Sequence, residues 1–353
     1  MFMKKYLMNF VLILGLTGFA LWLALKDNYQ VVLDAISKMS PISLFVVLCW
    51  GILYTVVWGL VYLIMGKKYN HKYTFTNGIV CAFVGTFMSG ITPSSTGGQF
   101  AQAYILKKQG IKVSDGASLL WADFIIYQTT MMIYVTILFL LKFAYYSKQS
   151  SWFNMILLGY VVNAVVVVAL YTMALFPNFM LKLTAWAGKI MKKIKFIKNP
   201  DQKVASWNLQ VQSFTKEIKV LSSDKRRIIL CSLVNVVRLT LLYSLPFIVA
   251  RALGINLAPE KMLDVVALSS FVLMANSFIP VPGASGGTEV VFSLMFQSMM
   301  GTLTGAVMVL WRFSTYHIII LIGGIIFTVA QSYYDKRDSA SKKSTIGLGP
   351  TIN

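Results

Sequence analysis

Apolar residues dominate this chain in long unbroken runs, and polar residues gather in short segments between them. The runs at 7–25, 42–65, 116–141, 152–176, 228–249 and 303–330 are nearly free of charge. At a rise of about 1.5 Å per residue, each is long enough to cross a hydrocarbon core of about 30 Å. They predict six membrane-spanning helices. The first follows Lys4 and Lys5 without a small-residue cleavage pattern behind it, so it reads as a retained anchor rather than a signal peptide. Between 178 and 227 the pattern changes. Leu183, Trp186, Ile190, Ile194 and Ile197, then Val204, Trp207, Val211, Phe214, Ile218 and Leu221, recur at helical spacing among lysines. That predicts two basic amphipathic helices at the inner membrane surface, serving as a brace or as a docking site for a cytoplasmic synthase partner. Residues 336–353 are polar and read as a disordered cytoplasmic tail.

One polar segment does not fit a simple succession of spans. Residues 92–99 read TPSSTGGQ, and the apolar stretch that follows, Gln99 to Leu106, ends at Lys107 and Lys108. As a helix it covers about half a bilayer core. Lys67, Lys68 and Lys72 precede the region and Lys107, Lys108 and Lys112 follow it. The spacing therefore predicts a re-entrant hairpin over 74–106 that turns inside the membrane and returns to the side it entered from. Irregular backbone at that depth is tolerated where it is buried in protein or lines a polar cavity.

A second copy follows at an offset of 189. Residues 281–288 read VPGASGGT, which places Pro282, Ser285, Gly286 and Gly287 on Pro93, Thr96, Gly97 and Gly98. Its hairpin spans 263–300, and counting crossings puts its mouth on the outer side. The expected fold is an all-α polytopic membrane protein of two inverted repeats, about six full spans plus two hairpins. Its membrane domain covers 1–335, with halves at 7–176 and 228–335 joined by the basic segment. Inverted repeats with broken helices meeting near the midplane mark many transporters.

Composition and charge refine this picture. The chain is 57% hydrophobic, 14% aromatic and 12% charged, with a formal net charge of +20. On a soluble protein that charge would suggest nucleic acid. Here 24 basic residues fall on the side of both termini and 6 on the other, so the positive-inside rule makes both termini cytoplasmic and no nucleic-acid partner is expected. Attraction to anionic inner-leaflet lipid is a secondary effect. Cys49, Cys81 and Cys231 lie in apolar runs and read as small buried hydrophobes. His71 and His317 are far apart, and neither a metal site nor a cofactor is expected.

Candidate chemistry gathers at the two turns. Ser94, Ser95 or Thr96 can cap a helix starting at Gly97, and Ser285 or Thr288 can cap its counterpart, leaving helix N-termini to meet an anion. The candidate substrate-binding residues are thus Thr92, Ser94, Ser95, Thr96, Gly97, Gly98 and Gln99 with Ser285, Gly286, Gly287, Thr288 and Glu289. Ionisable groups at membrane depth add Arg238 and Arg312, with Asp123 and His317 secondary. Two assignments fit each arginine: contact with an anionic ligand, or a structural pair with a carboxylate, Arg312 with Glu289 and Arg238 with Asp123. No catalytic residue is assigned.

The paired motifs ITPSSTGGQFAQAYIL and FIPVPGASGGTEVVF, with WRFSTYH near the end, resemble the lysylphosphatidylglycerol synthase/flippase transmembrane family, the membrane portion of the multiple peptide resistance factor. The resemblance covers most of residues 1–335. It implies a bacterial plasma-membrane protein that moves a phospholipid or lipid-linked headgroup, such as aminoacylated phosphatidylglycerol or a glycolipid, between leaflets. In full-length relatives it is linked to resistance against cationic antimicrobial peptides. Those relatives carry a soluble C-terminal aminoacyltransferase domain, for which this sequence shows no segment. A lipid flippase is the first expectation. A phosphatidylglycerol lysyltransferase-type membrane subunit, or a scaffold for a cytoplasmic lipid-modifying enzyme, is the alternative. A lipid-carrier-dependent glycosyltransferase would ordinarily show paired acidic residues on an outer loop, whereas Asp27 and Asp34 stand seven apart with no DxD.

Overall fold

A computed structural model describes residues 29–92, 95–148, 150–193, 199–275, 284 and 286–346. The expected span at 7–25 lies outside them. Among the described residues all regular structure is helical. We number the helices α1 (Tyr29–Ser37), α2 (Pro41–Gly66), α3 (Phe75–Ile91), α4 (Gly97–Lys108), α5 (Val113–Tyr146), α6 (Ser150–Leu175), α7 (Pro177–Lys193), α8 (Pro200–Ser222), α9 (Lys225–Ala252), α10 (Met262–Ala275), α11 (Gly287–Met300), α12 (Thr304–Arg312) and α13 (Ile318–Ile346). A π-helical turn, Phe313–His317, joins α12 to α13. Five stretches are long and apolar enough to cross a membrane: Pro41–Gly66, Val113–Phe143, Ile156–Leu175, Lys225–Ala252 and Gly287–Arg337. Because α13 runs to Ile346, residues 336–346 are helical where the sequence suggested a disordered tail.

Local chemistry sets the helix starts. Ser40 accepts a hydrogen bond from the Ser43 amide ahead of Pro41, Thr74 accepts one from the Asn77 amide, and Asp224 accepts one from the Arg227 amide. Without side chains at key positions the helices approach closely. A Cβ at Gly78 would collide with the Gly59 carbonyl, and one at Gly98 would meet Ser89 and the Gly85 carbonyl. These glycines seat α3 against α2 and α4 against α3. Cys81 and Cys231 are buried, but Cys49 is exposed. In a helix with outward Ile42, Phe45, Val46 and Leu53, Cys49 joins the apolar outer surface rather than the core.

The packing order repeats. The offset of 189 carries α2 onto α9, α3 onto α10, α4 onto α11, and α5 onto α12 with α13. Neighbours repeat with it: α2 packs on α3 as α9 packs on α10, α3 on α4 as α10 on α11, and α4 on α5 as α11 on α12. Across the halves, α2 lies along α9, and the Trp50 indole donates to the Leu241 carbonyl at 2.9 Å.

α5 serves as a ruler between the hairpins. Just before it, Gln109 is held at the open end of the first pair: Tyr73 donates to its Oε1 at 2.8 Å, and its Nε2 donates to the Asn77 carbonyl at 2.9 Å. Near its far end, Lys142 pairs at 2.8 Å with Asp264 in the first turn of α10. α3 and α10 therefore begin at opposite ends of α5.

Candidate functional site

The first short leg, α4, starts at Gly97. Its first amide is capped neither by Ser95 nor by Thr96: the Gly97 N–H donates at 2.9 Å to Thr92 Oγ1, whose own hydroxyl donates to the Met88 carbonyl at 2.7 Å. The cap comes from the end of the preceding helix, which locks the turn to α3. Ser95 takes a positive φ of 54°, and Gln99 and Thr96 are exposed. Gly98 is buried in the α3–α4 crossing, so its lack of a side chain is spent on packing. Ser94 lies outside the described residues.

At the second short leg the outcome differs again. Thr288 donates to the Ala284 carbonyl at 2.9 Å instead of capping. The Gly286 N–H, with φ at 91°, donates at 2.7 Å to Glu289 Oε2. A carboxylate of the helix itself thus occupies the N-terminus that the sequence suggested for a ligand anion. Ser285 lies outside the described residues, and Gly287 opens the helix.

Glu289 also meets Arg312. Its Oε1 accepts from Arg312 Nε at 2.9 Å, and the side chains are 1% and 6% exposed. Of the two assignments open to Arg312, the structure realises the pair with a carboxylate. The Arg312 guanidinium lies 4.6 Å from the Tyr316 ring centre, and Tyr316 donates to the Gly90 carbonyl at 2.9 Å. One stretch of helix, Arg312 to Tyr316, therefore touches the first turn of α11 and the last turn of α3. His317 packs beside it, parallel to Phe313 and edge-on to Tyr316, with Nδ1 3.3 Å from the Arg312 carbonyl. The π turn presses the Ser314 carbonyl onto Gly51 of α2, where a Cβ would collide with it.

Arg238 occupies a different setting. Its guanidinium carbon lies 4.1 Å from the Trp58 ring centre, 4.5 Å from that of Tyr54 and 4.9 Å from that of Tyr127. Nη2 donates to Tyr54 Oη at 2.7 Å and Nη1 to Asn235 Oδ1 at 3.3 Å. Asp123 is not its ion-pair partner. That carboxylate accepts from Trp58 Nε1 at 3.1 Å and from Tyr62 Oη at 3.3 Å, so Trp58 binds the cation with its face and the anion with its edge. Tyr54, Trp58, Tyr62, Tyr127, Asn235 and Tyr316 were not among the sequence candidates. The signal for two of them lies in the offset: 189 places Asp123, Phe124 and Tyr127 on Arg312, Phe313 and Tyr316. The halves thus hold opposite charges at one repeat position, each with an aromatic residue four places on.

Residues 8–323 match the family described as the lysylphosphatidylglycerol synthase TM region. A UPF0104 membrane protein of Archaeoglobus fulgidus is 22% identical over 299 residues, covering 83% of this chain and 88% of its own length. A UPF0104 membrane protein of Pyrococcus horikoshii is 24% identical over 345 residues, covering 92% of this chain and 96% of its own. With five stretches able to span a bilayer, these likenesses make the chain a multi-pass membrane protein.

Proposed function

Because the chain belongs to the lysylphosphatidylglycerol synthase TM region family, we propose that it carries the polar headgroup of a phospholipid or lipid-linked molecule from one leaflet to the other. The observation that carries this reading is that Arg312 and Tyr316 touch the first turn of α11 and the last turn of α3, while α3 and α10 begin at opposite ends of α5. In this reading the hairpins are re-entrant, the repeats are inverted, and the charged tips form a midplane station reached alternately from each side. A phosphate crossing hydrocarbon unaided would forfeit its hydration at a cost of several kcal/mol or more, which fixed donors and buried charges offset.

The basic segment fits the same scheme. Phe179, Leu183 and Trp186 of α7 are exposed, as are Val168 and Leu175 on α6. Lys182, Lys189 and Lys192 lie among them. We take this hairpin to rest on the anionic inner leaflet, with both termini cytoplasmic.

The test is transport in proteoliposomes carrying fluorescent phosphatidylglycerol, read as the fraction quenched by an impermeant reductant over time. Faster exchange than in protein-free vesicles is expected. Exchange at the protein-free rate, for phosphatidylglycerol and for a labelled glycolipid alike, would remove the flippase reading.

A further inference from the structure

Two buried arginines stand at membrane depth, and the structure treats them differently. Arg312 is neutralised by direct contact with Glu289. Arg238, 4% exposed, has no carboxylate within ion-pair distance among the described residues; Asp123 is reached through Trp58, which lies between them, and accepts from Trp58 and Tyr62. Its Nε has no hydrogen-bond partner, and neither has Nδ2 of Asn235, which is fully buried one helical turn earlier on α9. Two unpartnered donors, one of them charged, thus belong to side chains one helical turn apart that meet where Nη1 of Arg238 donates to Oδ1 of Asn235. Leaving such donors unmade is costly, and the cost is greatest for a charged group away from water.

We infer that Arg238 and Asn235 form an anion subsite whose ligand is a tetrahedral phosphate, with Nε of Arg238 and Nδ2 of Asn235 donating to its oxygens. The inference rests on the proposed headgroup transport and assigns the phosphate to Arg238 rather than to Arg312 or the helix ends. Trp58, Tyr54 and Tyr127 shield the guanidinium from water, which strengthens a charge-assisted bond made there. The donors are enclosed as the structure stands. α2 supplies Tyr54 and Trp58 while α9 supplies Arg238 and Asn235, so the subsite lies across the α2–α9 contact between the halves, and a ligand enters as those helices part.

Binding is measured on the full chain in neutral detergent, as ligand-dependent thermal stabilisation and as the change in tryptophan emission, Trp58 being against Arg238. The probes are dihexanoyl phosphatidylglycerol, inorganic phosphate and uncharged dihexanoylglycerol. Saturable stabilisation by the phospholipid and none by the uncharged lipid is expected; equal binding of inorganic phosphate would identify free phosphate as the source. Asn235→Asp gives Arg238 an internal carboxylate of the same shape. It should keep the fold and weaken phosphate binding by about ten- to a hundredfold. Arg238→Lys and Asn235→Leu should weaken it as well, and Asn235→Asp keeps the test decisive should either fail to fold. Unchanged affinity in Asn235→Asp, equal stabilisation by the uncharged lipid, or no binding to the wild type would each overturn the subsite. Transport by the wild type with phosphate affinity unmoved in Asn235→Asp would sink the subsite and leave the flippase reading. Arg238-dependent binding without transport would do the reverse.

Discussion

Glu289 holds two partners at once, the Gly286 amide through one oxygen and Arg312 through the other. Removing one member of a buried pair leaves an uncompensated charge and costs about 3–5 kcal/mol, whereas replacing both with apolar residues is often neutral. Arg312→Gln and Glu289→Gln should therefore each lower the unfolding temperature in detergent strongly, and Glu289→Leu with Arg312→Leu should recover most of it. Additive losses in the double variant would show that the two residues do not act as a pair. At the first hairpin's open end, burial pushes the Tyr73 hydroxyl well above the ordinary tyrosine range. A raised folded-state value means stability present below the unfolded tyrosine value of about 10 and lost as pH rises above it. Wild-type protein should lose stability between about pH 10 and 12, and Tyr73→Phe should lose less over that interval; parallel losses would exclude Tyr73 as a source.

Two element-scale features have opposite origins for their glycines. Gly78 fills no space because the Gly59 carbonyl does, so Gly78→Ala forces α2 and α3 apart at about 1–3 kcal/mol. Gly286 has open space around it and a φ of 91°, so the penalty at this position is conformational. With ψ at −55° the backbone lies outside the αL well that Asn tolerates, so Gly286→Ala and Gly286→Asn should both lower the unfolding temperature. An unchanged unfolding temperature in either would mean that the turn does not require this backbone. Much of this level was legible in the sequence. The runs at 42–65, 116–141, 152–176 and 228–249 fall on α2, α5, α6 and α9, because long apolar patterns leave few alternatives in a membrane. The caps were not legible. TPSSTGGQ offers several hydroxyls within reach of one amide, and only the backbone path shows that Thr92 makes the bond. The cage around Arg238 was hidden for a related reason: in an apolar helix such as α2, no polar stripe marks the side that faces α9.

For the whole molecule, the proposed inversion of the two hairpins gives a topological prediction. On a background without Cys49, Cys81 and Cys231, cysteines placed at Lys72 and Lys261 should react with an impermeant reagent from opposite faces of oriented vesicles. Labelling of both from one face would contradict re-entrant hairpins in inverted repeats. The offset of 189 was legible in eight residues at each turn, but its reach was not. Asp123 against Arg312 and Tyr127 against Tyr316 become visible as equivalents once the packing of both halves is known, since opposite charges at one position conceal the relation.

α5, a helix of 34 residues that starts at the first hairpin's open end and carries Lys142 near its finish, has a further consequence for the lipid around it. Its most apolar portion, 116–141, with Asp123 as its one charged residue, would measure about 39 Å along its axis, against a hydrocarbon thickness of about 30 Å. Standing upright it would be mismatched by about 9 Å, and the relief is a tilt of about 40° or a locally thickened bilayer. Lys142 is tethered to Asp264 at one end, and the loop holding Gln109 is fastened just before the other, so α5 cannot lean without carrying both hairpins with it. Bilayer thickness then acts as a mechanical load on the molecule. Thin membranes would hold α5 at a steep angle and thick ones would let it rise, so the rate of any motion between the halves should depend on acyl-chain length.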